Sequence, residues 1–217
     1  MQPKRIRALA LATGLVVWSL LVPRFPPRWH PVPHVVVGTA LAVITRAPLG
    51  LRPPALWSGL RLGLAVAAPV ALGVASSMAL PPVRVAMAEY ELPEAAVRWL
   101  LLRIPLGTVW AEEASYRAAL GTVANSAFGP IGGRLLQSAA FGLSHIADAR
   151  ATGEPVVGTV VATGLAGWLF GWLHERSGSL AAPMLVHLAI NEAGAVASLT
   201  MQRRLSRRAD AEVPEIA

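Results

Sequence analysis

The chain contains no cysteine and a single lysine. Without cysteine there are no disulfides and no thiolate metal sites, and the redox compartment is left unspecified. Charge is scarce: 14% of residues are Asp, Glu, Lys or Arg, against about a quarter in an ordinary soluble domain. The repeated ten-residue alternation of a membrane β-barrel is missing, as is any internal repeat. Three catalytic signatures are also missing. His174-Glu175 is followed by Arg176-Ser177-Gly178, so there is no His-Glu-x-x-His zinc motif. Ser144 lies in Gly142-Leu143-Ser144-His145-Ile146, which lacks the second glycine of a nucleophile elbow. No Gly-x-Gly-Asp of an aspartyl type occurs.

What remains is apolar. Of the 217 residues, 54% are hydrophobic, and mean hydropathy is positive. Apolar runs at 8–22, 35–45, 62–80, 97–120, 131–149, 156–173 and 180–201 predict an all-α, polytopic transmembrane helix bundle of about seven or eight spans. No small-x-small cleavage site follows the first run, so it reads as a retained span. The polar connection 81–98 reads as interfacial, and Trp168 and Trp172 as interface anchors. Seven runs are counted, yet Lys4, Arg5 and Arg7 at one end and Arg203, Arg204, Arg207 and Arg208 at the other favour two cytoplasmic termini, hence an even number.

The formal charge of +7 comes mostly from arginines between apolar runs. These determine topology and contact anionic membrane lipids; nucleic acid is not an expected partner. The preference for Arg over Lys, with abundant Ala and Gly, suggests a GC-rich bacterial genome. The expected location is therefore a bacterial plasma membrane, crossed several times. Three regions are distinguished: N-terminal spans at 1–96, a helix bundle at 97–202 and a basic, polar, disordered tail at 203–217.

The organising stretch is Glu112-Glu113-Ala114-Ser115-Tyr116-Arg117, set in an otherwise apolar segment. A charge at the bilayer centre costs at least ~2.5–3.5 kcal/mol on insertion scales, so such groups face the bundle interior and mark function. Glu113 and Arg117 are i,i+4 and can pair, whereas Glu112 points about 100° away and stays available. Two further motifs follow: Phe141-x-x-x-His145, and His187-x-x-x-Asn191, whose two polar groups share a helix face. With a turn centred between Phe128 and Gly129, Glu112 and His145 each lie 16 residues from it. An antiparallel hairpin then sets them at one depth.

Each group also has a plain structural reading. Glu113–Arg117 can be a bundle ion pair, His145 a packed histidine, and His187 with Asn191 interhelical glue of ~0.6–2 kcal/mol. Tyr116 and Phe141 read as packing, Asn125 as a turn or cap residue, and Ser138, Thr159 and Thr163 as bonded to backbone carbonyls. His30 and His34 read as solvated. Glu192 is either a supporting group behind the site or turned to another side.

Taken in order, Glu-Glu-x-x-x-Arg, Phe-x-x-x-His and His-x-x-x-Asn on membrane helices resemble the CPBP family of intramembrane proteases, which includes the CAAX prenyl endopeptidases and bacteriocin-processing or immunity proteins. The resemblance covers roughly 97–200. Tyr116 stands where that family usually has Phe, and Ala118 where Gly is frequent, which would slightly loosen packing. The resemblance implies an endopeptidase acting on a membrane-associated protein or peptide through activated water. It makes Glu112 the general base and gives His145 a hold on the water. His187 and Asn191 would be oxyanion donors, and Glu113 with Arg117 would orient the site. No cofactor is expected; the alternative is Zn2+ held by Glu112, Glu113, His145 and His187. Two other classes stay open: a catalytically silent partner-binding or immunity protein, and a proton-coupled transporter, for which broken helices and an inverted repeat are lacking.

Overall fold

A computed structural model describes residues 2–25, 29, 31–93 and 95–212, with the backbone alone at 208–212. Helix α1 (Pro3–Leu21) runs into a 3-10 turn (Val22–Arg24) and is followed by α2 (Val32–Ile44), α3 (Ala55–Ser77) and the short α4 (Pro81–Glu89). A long helix, α5, occupies residues 96–128. Gly129 (φ 75°, ψ 173°) then reverses the chain into α6, residues 130–144. That conformation suits glycine, and Pro130 behind it opens α6 with a fixed φ. After His145 come α7 (Ile146–Thr152), α8 (Val156–Ser177) and α9 (Ala181–Glu212). Gly153 and Gly178, both left-handed, close α7 and α8. The expected all-α membrane bundle is present, and no strand occurs among the described residues.

Helix α5 is unusual in its winding. Over Trp99–Trp110 and Glu113–Leu120 it is a wide π-helix, with Ala111 and Glu112 between. Pro105 sits inside the first wide segment and has no N–H to offer an i→i−4 ladder, so the local pattern is already broken there. Widened turns of this kind recur at functional sites. The second wide segment carries Glu113 and Arg117 and is buried along its whole length.

Small residues let the helices approach. A Cβ on Gly59 would come within 2.7 Å of the Ser179 side chain, and one on Gly63 within 2.9 Å of Ala182 Cα, so α3 lies tight against α9. A Cβ on Gly142 would sit 2.5 Å from the Val160 carbonyl oxygen, which fixes the crossing of α6 and α8. Ala118 is fully buried with Ala42, Ala114 and Leu180, so it is packed rather than loose. Outward faces are apolar, with Leu72, Val157 and Leu165 all more than half exposed, as hydrocarbon contact requires.

The two ends of the bundle can be told apart by their contacts. At one end Arg5 lies over Phe128, Asn125 and Arg134 both reach Glu175, and the Leu180 N–H donates to the Leu49 carbonyl. At the other end Gln202 donates to the Tyr90 carbonyl, Tyr90 stacks on Trp99, and Ser198 meets Met87. Helices α1, α2, α3, α5, α6, α8 and α9 run alternately between these ends, so Lys4, Arg5 and Arg7 lie opposite Arg203, Arg204 and Arg207. Within the bundle the two described ends of the chain therefore lie at opposite ends, where the basic residues at both termini favour one side. Four helices are long and apolar enough to cross a membrane: Pro3–Arg24, Ala55–Ser77, Val156–Ser177 and Ala181–Arg207. Helix α2, with 13 residues, is about 20 Å long, and the charges of α5 lower its apolarity.

Other expectations need correction. The span taken as 131–149 is broken at His145, and α9 continues as helix through Glu212, beyond the expected onset of a disordered tail. Residues 213–217 and His30 lie outside the described residues. His34 is half-buried: within α2, it meets Trp18 edge-on at 6.1 Å and borders the cavity described below.

Candidate active site

The charged residues of α5 meet α9 through His187. Its Nδ1 lies 2.8 Å from Glu113 Oε1, and its Nε2 lies 3.7 Å from Glu112 Oε2. Since a carboxylate only accepts, Nδ1 carries the proton in that short bond. The ring is therefore oriented with its second nitrogen toward Glu112. Glu113 is fully buried, and its other oxygen lies 3.3 Å from Arg117 Nε. That contact is ionic rather than an aligned hydrogen bond, because neither atom has a hydrogen-bond partner by geometry.

Arg117 is 1% exposed, and its two terminal nitrogens bond nothing among the described residues. The guanidinium lies instead against two aromatic rings, 3.9 Å from the centroid of Phe141 and 4.8 Å from that of Phe170. Cation–π attraction strengthens on desolvation, to about 2 kcal/mol or more. Together with Glu113 it offsets the cost of burying the charge. Phe170 also stacks on His187, with centroids 5.0 Å apart and planes at 23°.

His145 stands at the break between α6 and α7. Its Nδ1 is 2.8 Å from the Phe141 carbonyl, which only accepts, so Nδ1 is the protonated nitrogen in that bond and Nε2 remains to bind something else. Ser144 Oγ also donates to the Phe141 carbonyl, at 2.7 Å. Asn191 Nδ2 donates to the His187 carbonyl at 3.0 Å, one turn back on its own helix.

A cavity of about 530 Å³ brings these groups together. Glu112, His145, His187 and Asn191 all border it, as the motif spacings anticipate. Glu113 and Arg117 do not; they form a buried layer behind it. The cavity extends to Arg103, Asp148 and Glu154, which are exposed. These lie at the end of the bundle that carries the start of α5 and the α7–α8 turn, so the cavity opens there, on the side of the α9 C-terminus.

Sequence reasoning missed two features. The Glu113–His187 bond joins residues 74 apart, and no spacing rule reaches across α6 and α8. Phe170 lies in a run of apolar and small residues whose pattern marks it only as core. Several lesser readings change. Asn125 bonds Glu175 rather than capping a turn, and Arg134, over Trp168, reaches the same carboxylate. Thr163 bonds the Thr159 carbonyl as expected, whereas Thr159 donates to Glu154 and Ser138 meets Gln137 Nε2.

A zinc shell is a poor fit to this arrangement. No three His, Asp or Glu among the described residues are grouped to hold a metal ion. Glu113 is shared between His187 and Arg117 and is not free as a ligand, whereas the Nδ1 bonds of His145 and His187 leave each Nε2 as the ring nitrogen open to one.

Residues 94–193 match the family model of type II CAAX prenyl endopeptidase Rce1-like proteins. The matched segment contains all of Glu112, Glu113, Arg117, His145, His187 and Asn191. No curated protein and no solved structure shows significant similarity to the chain.

Proposed function

We propose that the protein, whose residues 94–193 match the family model of type II CAAX prenyl endopeptidase Rce1-like proteins, is an intramembrane endopeptidase in which Glu112 activates the attacking water. The observation that carries this reading is the His187 imidazole set between Glu113 and Glu112, beside a cavity that His145 also borders.

Glu112 takes the water proton as oxygen attacks the scissile carbonyl, and His145 Nε2 holds that water. Negative charge then develops on the carbonyl oxygen. His187 donates through Nε2–H in its doubly protonated form, with Nδ1–H kept on Glu113, and the second amide hydrogen of Asn191 is the other donor. One preorganised oxyanion donor is worth about 2.7–4 kcal/mol in acyl transfer. Collapse breaks the C–N bond, and Glu112 returns the proton to the leaving amine. Glu113 fixes the ring of His187, and Arg117 holds Glu113; neither touches substrate.

The substrate is a membrane-associated protein or peptide entering through the mouth near Arg103, Asp148 and Glu154. The membrane is a bacterial plasma membrane, and prenylated CAAX proteins are not carried over as substrates. The test is a comparison of membrane-associated peptides from cells carrying wild type or Glu112→Gln. Fragments that vanish with the variant support the reading and name the substrate. Identical peptide sets, with the phenotype retained, favour a silent partner-binding protein; proton-coupled uptake by the purified protein favours a transporter.

A further inference from the structure

Arg117 and His187 come from different helices yet share one aromatic neighbour. Phe170, on α8, is 1% exposed. One contact is near-parallel stacking on His187; the other is the guanidinium of Arg117 at 4.8 Å. Phe141, the second aromatic beneath Arg117, meets Phe170 at 6.4 Å and His187 nearly perpendicular at 6.2 Å. Among the aromatic rings of the described residues, Phe170 alone lies near-parallel to the imidazole, whose two nitrogens approach Glu113 and Glu112.

We propose that Phe170 is a positioning residue of this site, the flat surface that sets the plane of the His187 ring and, beside Phe141, offers a second aromatic ring to the unbonded Arg117 guanidinium. This rests on the protease reading for its catalytic consequence, but the geometry stands apart from it. The bond from His187 Nδ1 to Glu113 fixes one point of the ring and leaves rotation about that bond; stacking removes it. Arg117 is coupled to the same carboxylate. A lost aromatic face therefore disturbs Glu113 from one side and His187 from the other. An aliphatic side chain of similar size fills the space and supplies neither stacking nor a π face. Core packing alone would accept leucine with a modest loss of stability. That difference makes the proposal testable.

The experiment uses the full chain, purified in detergent with 15N-labelled histidine, as wild type, Phe170→Leu and Phe170→Tyr, with His187→Gln to assign the ring signals. Wild type is expected to show a slowly exchanging Nδ1–H for His187 and ring protons moved upfield by the face of Phe170. Phe170→Leu is expected to lose the slow exchange, and Phe170→Tyr to keep it. On a peptide cleaved in a Glu112-dependent way, Phe170→Leu should lower kcat at least tenfold with KM changed less than threefold, and Phe170→Tyr should restore it. A Phe170→Leu protein that keeps the slow Nδ1–H overturns the proposal. So does a wild-type spectrum without the upfield shift, which needs no variant to fold. Should wild type cleave nothing, the protease reading fails while the exchange measurement still decides the role of Phe170.

Discussion

His187 and Glu113, 74 residues apart in sequence, are joined by a 2.8 Å bond inside the bundle. It ties the wide segment of α5 to α9 and gives the buried carboxylate two partners, His187 and Arg117. Glu112, one position earlier, borders the cavity instead. Two adjacent glutamates thus hold different stations.

Glu113→Gln is expected to cost stability first. It leaves Arg117 without the carboxylate it pairs with, while both terminal nitrogens remain unbonded among the described residues. Breaking a buried pair from one side costs about 3–5 kcal/mol. Adding Arg117→Gln removes the stranded cation and should recover part of that loss. Unfolding midpoints of the single and double variants in one detergent decide this; equal stability of wild type and Glu113→Gln would refute the pairing.

The termini should report from opposite sides of the membrane. Arg5 is anchored at the Phe128 end, and Gln202 at the Tyr90 end. Reporters fused at the two ends should therefore label oppositely. Labelling from the same side would require one pass to be re-entrant.

Glycine replacements should separate close helix crossings from open surface. Gly142→Ala drives a methyl against the Val160 carbonyl oxygen at 2.5 Å, an overpacking of the kind that costs about 1–3 kcal/mol. Gly73→Ala, with nothing within 4 Å, should be neutral or stabilising by about 0.4–1 kcal/mol. Thermal midpoints of the two proteins should move apart.

Much of the site could be read from the sequence because helix periodicity places side chains. The i,i+4 offset brings Arg117 to Glu113, and equal distances from the Gly129 turn carry Glu112 and His145 to one cavity. Contacts across the bundle could not be read that way. Whether His187 meets Glu113 or Glu112 depends on how α9 is rotated against α5, which the close approaches at Gly59 and Gly63 help to set. Phe170 looks like any core aromatic until α6, α8 and α9 are packed. The placement of the termini was illegible for a related reason: basic residues at both ends are a statistical guide, while the end of the bundle each one reaches is set by the chain's turns.

The most direct test of the account is hydrolysis by the purified protein in detergent of a membrane-anchored peptide, for wild type and Glu112→Gln, with and without a zinc chelator. Gln keeps the size and hydrogen bonding of Glu112 but cannot take a proton from water at neutral pH. The account predicts cleavage by wild type that the chelator leaves unchanged, and none by Glu112→Gln at an unaltered unfolding midpoint. Cleavage by Glu112→Gln at the wild-type rate, with activity lost instead in a fully stable Glu113→Gln, would contradict it.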